Sequence, residues 1–207
     1  MKVGNQIPKS VFESPEMMID EYKDIMVELF DHYGMSNNLC NRCLAWLDST
    51  DFFIAPASTK YHDSCQCGLL AHTLKVVNCI TELSLLSMFK DIDIYDAVLC
   101  AMVHDWCKID FYESYLRNVK DDETGEWHHE IAYRCKGSSI PLGHGVTSLF
   151  LAQKFFKLTA EQSLAIRWHM GEYDMSECNK HDLLKANETY PIVIMLQIAD
   201  KIASIIL

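Results

Sequence analysis

Four histidines stand inside or at the ends of stretches with helical apolar spacing: His72 in GLLAHTL, His104 in MVHDW, His144 in PLGHGVTS and His169 in AIRWHMG. Two aspartates share that setting, Asp105 directly after His104 and Asp200 within IVIMLQIADKIASIIL. A single histidine on an apolar helix face is ordinarily a hydrogen-bonded core residue. Six such positions on five expected helices ask for a common cause. Asp200 is the most telling, since a carboxylate in so apolar a run is costly to bury unless it is paired or bound to a cation. Neutral imidazoles with carboxylates suit Zn, Mn, Fe, Co or Ni, whereas Mg and Ca prefer oxygen. Neighbouring helical residues diverge by about 100°, so His104 and Asp105 can serve one site only where the helix ends. Six donors are too many for one tetrahedral ion with an open position; they suit two divalent ions about 3.5–4 Å apart. A single ion on His72, His104, Asp105 and Asp200, with His144 and His169 turned to a ligand, is the simpler alternative.

The elements that must position these residues read as helices. Ser14-Pro15-Glu16 has the form of a cap, first position and acidic first turn, and Met18, Tyr22, Ile25, Met26, Leu29, Phe30 and Tyr33 follow at three-to-four spacing. A second helix is expected from Ser36, others over 66–89, 92–107 and 141–156, one from Thr159 where TAEQ has the capping-box form, and one from Pro191 onward. Between them, over 111–135, FYESYLRNVK and EWHHEIAYR flank the turn-rich DDETG, which predicts a β-hairpin. The expectation is an all-α architecture, a compact helical bundle with one inserted hairpin, forming a single domain over 1–207 in which helices of 1–50 pack on the core.

A chain of 207 residues, 49% apolar and 23% charged, is long enough to bury one full core. Its formal charge of −11 repels nucleic-acid backbones at long range, so duplex binding through a basic face is disfavoured and an anionic ligand needs local attraction. The opening MKVGNQIPKSVFESPE has no apolar run behind its early lysine, and no uncharged apolar stretch of about 18 residues follows. The expectation is a cytoplasmic protein that neither enters nor crosses a membrane. Nine cysteines, an odd number in a chain this long, read as reduced thiols rather than a disulfide framework. Cys40-x-x-Cys43 with Cys65-x-Cys67 would make a rival four-thiolate zinc site in an interaction module, though Cys40 and Cys43 fall on an amphipathic helix without a tight turn.

HDWCKID resembles the signature of the HD-domain phosphohydrolase superfamily, in which a His-Asp pair closes a helix and a lysine, here Lys108, often follows three residues later. The ordered series His72, His104-Asp105, His144, His169 and Asp200 is similar to the binuclear branch of that family over roughly 58–204. GLLAHTLKVV and LGHGVTSLF resemble the HD domain of bacterial 3′-to-5′ exoribonucleases, and nearly the whole length resembles small HD hydrolases of gut bacteria and their phages. The exoribonucleases carry an OB fold without a counterpart here, which turns the expectation away from long RNA. Trp106-Cys107 replaces the small or aliphatic pair more usual before the lysine, a change expected to alter packing alone.

The resemblance implies a metal-dependent phosphohydrolase, a phosphodiesterase or nucleotidase in which a water acidified by two divalent ions attacks phosphorus. Its substrate would be a phosphate-containing small molecule: a nucleotide, a cyclic nucleotide or a short oligonucleotide. Asp105 and Lys108 are the expected catalytic residues, Lys108 either neutralising a phosphate oxygen or merely solvating a helix end. Lys60 and His62 in the loop before the first ligand histidine, Lys108, Arg117 on the hairpin with Lys120 and Trp127, and Arg167 beside His169 are expected substrate contacts. A solvated hairpin is the blander expectation, given its acidic tip. Asp174 would orient a ligand histidine or stand as an exposed acid. The alternative function is a non-catalytic metal- and nucleotide-binding sensor or interaction protein on the same fold. The sequence leaves the oligomeric state open.

Overall fold

The computed structural model describes residues 3–206. Among these residues it contains eight α-helices and one two-stranded antiparallel sheet. α1 (Pro15–His32) and α2 (Asn37–Asp48) start where their signals stand, with the Ser14 and Ser36 hydroxyls accepting from the amides of Met17 and Leu39. α1 buries Met18, Tyr22, Ile25, Met26, Leu29 and Phe30, the stripe its spacing predicts.

α3 (Gly68–Leu83) carries His72 and packs against both α4 (Ile94–Val103) and α8 (Pro191–Ile205). α5 (His144–Ala152) lies on α6 (Ala160–Trp168), which in turn packs on α8, and the short α7 (Lys180–Thr189) covers α8 from outside. Thr159 and Gln162 form the full capping box at the start of α6. In this arrangement α3, α4, α5, α6 and α8 each bring one end or one face toward a common point.

Several ends fall elsewhere than the periodicity predicts. α4 stops at Val103 instead of 107: His104 is its C-cap, still with helical backbone angles, and Asp105 leaves them at φ −105°, ψ 16° to begin a 3₁₀ turn over Trp106–Lys108. The break is held by long-range contacts. Tyr22 in α1 donates its hydroxyl to Met102 O at 3.0 Å and accepts from Trp106 Nε1 at 3.1 Å, and all three residues are buried. α3 ends at Leu83 rather than 89, and α5 begins at His144 rather than 141. α7 was not expected, because KHDLLKANET buries just Leu183 and Ala186 and carries almost no apolar period.

The hairpin forms as expected, β1 (Tyr112–Lys120) pairing with β2 (Trp127–Cys135) from Tyr112 opposite Cys135 to Lys120 opposite Trp127. Asp121 Oδ1 accepts from the amides of Glu123 and Thr124 and so ties the DDETG turn. Most of its residues face solvent on both sides.

Candidate metal centre

All six residues singled out by type come together around Asp105. The carboxylate turns one oxygen to each half of the set. Asp105 Oδ2 lies 3.3 Å from His104 Nε2 and 3.5 Å from His72 Nε2, while Oδ1 lies 3.0 Å from His144 Nε2 and 3.6 Å from His169 Nε2. Asp200 Oδ1 closes the first half, 3.0 Å from His72 Nε2 and 3.9 Å from His104 Nε2. The departure of Asp105 from helical geometry is what permits this, since it turns the carboxylate away from the helix direction of its neighbour His104.

Two imidazoles have an assigned tautomer. His104 Nδ1 and His169 Nδ1 lie 2.7 and 2.8 Å from the carbonyls of Ala101 and Ile166, which only accept, so each Nδ1 carries a proton and, in the neutral ring, Nε2 is the donor atom that faces inward. His169 Nε2 is buried and has no hydrogen-bond partner among the described residues. His72 and His104 Nε2 approach within 3.3 Å. Lone pairs and carboxylate oxygens facing one another this closely repel unless a proton or a cation lies between them, and a divalent cation satisfies all of them at once. The set therefore fits metal ions: His72, His104 and Asp200 bring three donor atoms within 4.8 Å of one another, and Asp105, Cys107 and His144 do the same.

The electrostatics follow from burial and charge. Burial pushes the Asp105 carboxyl up, but Lys108, His104 and His144 outweigh it and hold the group well below the usual carboxylate range. Asp200 is likewise held low against burial, by His72 first and then His104. Burial lowers the His169 pKa on balance. At His104 the Asp105 charge overcomes burial and raises it, and at His144 Cys107 and Asp105 do so, to about 10. Of the four imidazoles, His144 alone has an appreciably exposed side chain, 27% against none for the others, so solvent enters on its side.

Lys108 is buried with its Nζ 2.7 Å from Asp105 Oδ2. The His62 ring lies tilted against that of His72, centroids 4.8 Å apart, and its Nε2 is buried without a hydrogen-bond partner among the described residues. Burial pushes its pKa down to about 4. Lys60 is exposed two residues earlier. Arg117 is not brought to the centre; it donates to Glu130 across the hairpin at 3.1 Å. Arg167 donates to Asp174 at 2.5 Å and lies over the Trp168 ring. Asp174 does not meet an imidazole: it accepts from Arg167 and from the Gly145 amide, and so pins the first turn of α5 behind His144.

One contributor was not expected from the sequence, and one expectation needs correction. Gly145 lets α5 touch α6: a Cβ there would stand 2.0 Å from Arg167 O. This contact sets the spacing of His144 and His169. The correction concerns Cys107, expected to affect packing alone. Its Sγ lies 3.2 Å from His144 Nε2, inside the candidate centre, because the 3₁₀ turn rotates it inward after Asp105. The four-cysteine alternative finds no support. Cys40 and Cys43 are buried in α2, Cys65 is exposed, and no donor cluster of metal-binding size gathers at them among the described residues.

A helical frame here gathers four histidines and two aspartates from five helices around one buried carboxylate, a donor set that could hold metal ions. Residues 69–205 match the HD domain family, well over half of the chain, and the chain belongs to it. Members of that family are generally metal-dependent hydrolases. No curated protein and no solved structure matches the chain. No helix among the described residues is long and apolar enough to cross a membrane.

Proposed function

We propose that this chain hydrolyses a phosphomonoester or phosphodiester bond in a nucleotide, cyclic nucleotide or short oligonucleotide, using two divalent ions. The ligands would be His72, His104, Asp105 and Asp200 on one side and Asp105, His144 and His169 on the other. One observation carries this: the two Asp105 oxygens face different imidazole pairs, the disposition a bridging carboxylate needs. Bound there, divalent ions supply a water acidified toward neutrality and positive charge for the phosphate.

The protein's own groups do the rest. Asp105 is held ionised near neutrality by Lys108. Lys108 is ion-paired with Asp105 and keeps N–H groups to offer a non-bridging phosphate oxygen. His62, neutral at physiological pH, presents an unpartnered Nε2 to a substrate oxygen, and Lys60 lies on the same loop to meet a phosphate at the rim. Arg117 and Arg167 are engaged by Glu130 and Asp174, so a role toward substrate would require those pairs to open. Two ions against two aspartates leave a formal local surplus of about two positive charges, enough to draw an anion into an acidic protein.

The small-substrate assignment is supported by the net charge of −11, which disfavours long polyanions. The likeness of GLLAHTLKVV and LGHGVTSLF to exoribonuclease HD domains keeps a short single strand within the proposed class. A panel of nucleoside monophosphates, cyclic nucleotides, dinucleotides and a long single-stranded RNA, assayed with several divalent ions, tests it. Turnover confined to the small compounds is expected. Preference for the long polymer would overturn the substrate class, and no turnover with any ion would favour the sensor.

A further inference from the structure

Cys107 is left without a role by the hydrolase chemistry above, yet it is built into the centre. Its amide donates to the buried Ser148 Oγ at 3.0 Å, which fastens the turn to α5. Its Sγ lies 3.2 Å from His144 Nε2 and 3.3 Å from Nδ1. Asp105, Cys107 and His144 thereby place an oxygen, a sulfur and a nitrogen within 4.8 Å of one another. A second observation points to a ligand at the same place: the buried, unpartnered His169 Nε2 stands 3.6 Å from Asp105 Oδ1, the oxygen that also meets His144.

Resting on the two-ion reading above, we propose that Cys107 supplies a thiolate ligand to the ion held by Asp105 and His144. The two positions then differ in kind. His72, His104 and Asp200 offer nitrogen and oxygen alone, whereas the second position adds a soft sulfur, which favours Zn, Fe or Co over Mn or Mg. Ligation replaces the S–H bond by a sulfur–metal bond and releases the proton to solvent, with no change of oxidation state. The exposed cysteines, Cys65, Cys135 and Cys178, have no comparable donor cluster among the described residues.

Cobalt(II) titration of the full chain, followed by absorption and compared with Cys107→Ser, tests this. The native chain is expected to bind two cobalt ions with a near-ultraviolet sulfur-to-cobalt charge-transfer band. The variant should keep the visible bands of the nitrogen and oxygen position, lose the charge-transfer band, and bind its second cobalt at least about tenfold more weakly. Two cobalt ions without that band in the native chain, or an unchanged band in the variant, would overturn the role of Cys107 and leave the two-ion reading standing. A native chain that binds no cobalt would overturn both. If the serine variant does not fold, X-ray absorption on the zinc-loaded native chain decides: a sulfur scatterer at about 2.3 Å is expected, and a shell of nitrogen and oxygen alone contradicts the proposal.

Discussion

Asp105 Oδ1 and His144 Nε2 lie 3.0 Å apart although 39 residues and the whole hairpin separate them in sequence. The contact joins the end of α4 to the first residue of α5. Replacing Asp105 by Asn leaves a carbonyl to accept from Lys108 but removes the charge shared between the two halves. We expect metal affinity to fall by more than about 100-fold, beyond what loss of a group that merely touches a ligand causes. Hydrolysis should fall with it, while circular dichroism retains the native helical content. An active, metal-replete Asp105→Asn protein would contradict the assignment.

Gly145 should be intolerant of even one methyl group. A Cβ 2.0 Å from Arg167 O forces α5 and α6 apart, and His144 and His169 ride on those helices. Gly145→Ala is expected to cost about 1–3 kcal/mol in denaturant unfolding and to weaken metal binding as well. Native stability and affinity in the variant would show that the helices are not in contact there.

His62 should remain neutral well below the usual histidine range. Burial lowers its folded pKa to about 4, while the unfolded value is about 6.5. As pH falls the unfolded chain takes up this proton first, so the residue's effect on stability is neutral above about pH 6.5 and increasingly unfavourable down to about pH 4. In metal-free protein, NMR titration of the His62 ring should give a midpoint near 4, and His62→Asn should flatten that part of the stability curve. A midpoint near 6.5 would place the ring in solvent.

The six residues that gather around Asp105 stood out in the sequence because charged and ligating side chains in apolar helical runs are too costly to be there by default. Asp200 amid IVIMLQIADKIA and His104-Asp105 after a buried α4 are the clearest cases. The hairpin was legible from DDETG between two β-rich runs, and its register follows from that turn. What the sequence did not carry was contact between distant residues. The Tyr22–Trp106 bond, the Ser148 hold on Cys107 and the Gly145 approach to α6 each join segments far apart in the chain. α7 escaped because its polar sequence earns its helix from packing on α8 rather than from a period of its own.

Thiol reactivity should follow burial. Cys65, Cys135 and Cys178 are exposed and are expected to react promptly with a thiol reagent in the native state. Cys40, Cys43, Cys79 and Cys100 are buried, and burial raises each thiol pKa, that of Cys79 to about 11. They should react on unfolding. Prompt reaction of Cys40 and Cys43 that zinc suppresses would restore the four-cysteine site.

The most direct measurement is the divalent-metal content of protein purified without chelator, taken alongside hydrolysis of a generic phosphodiester with manganese, cobalt and zinc supplied in turn. Two ions per chain with metal-dependent turnover that chelation abolishes is the expected result. A chain that holds no metal and turns over no phosphodiester with any of these ions would contradict a two-ion phosphohydrolase.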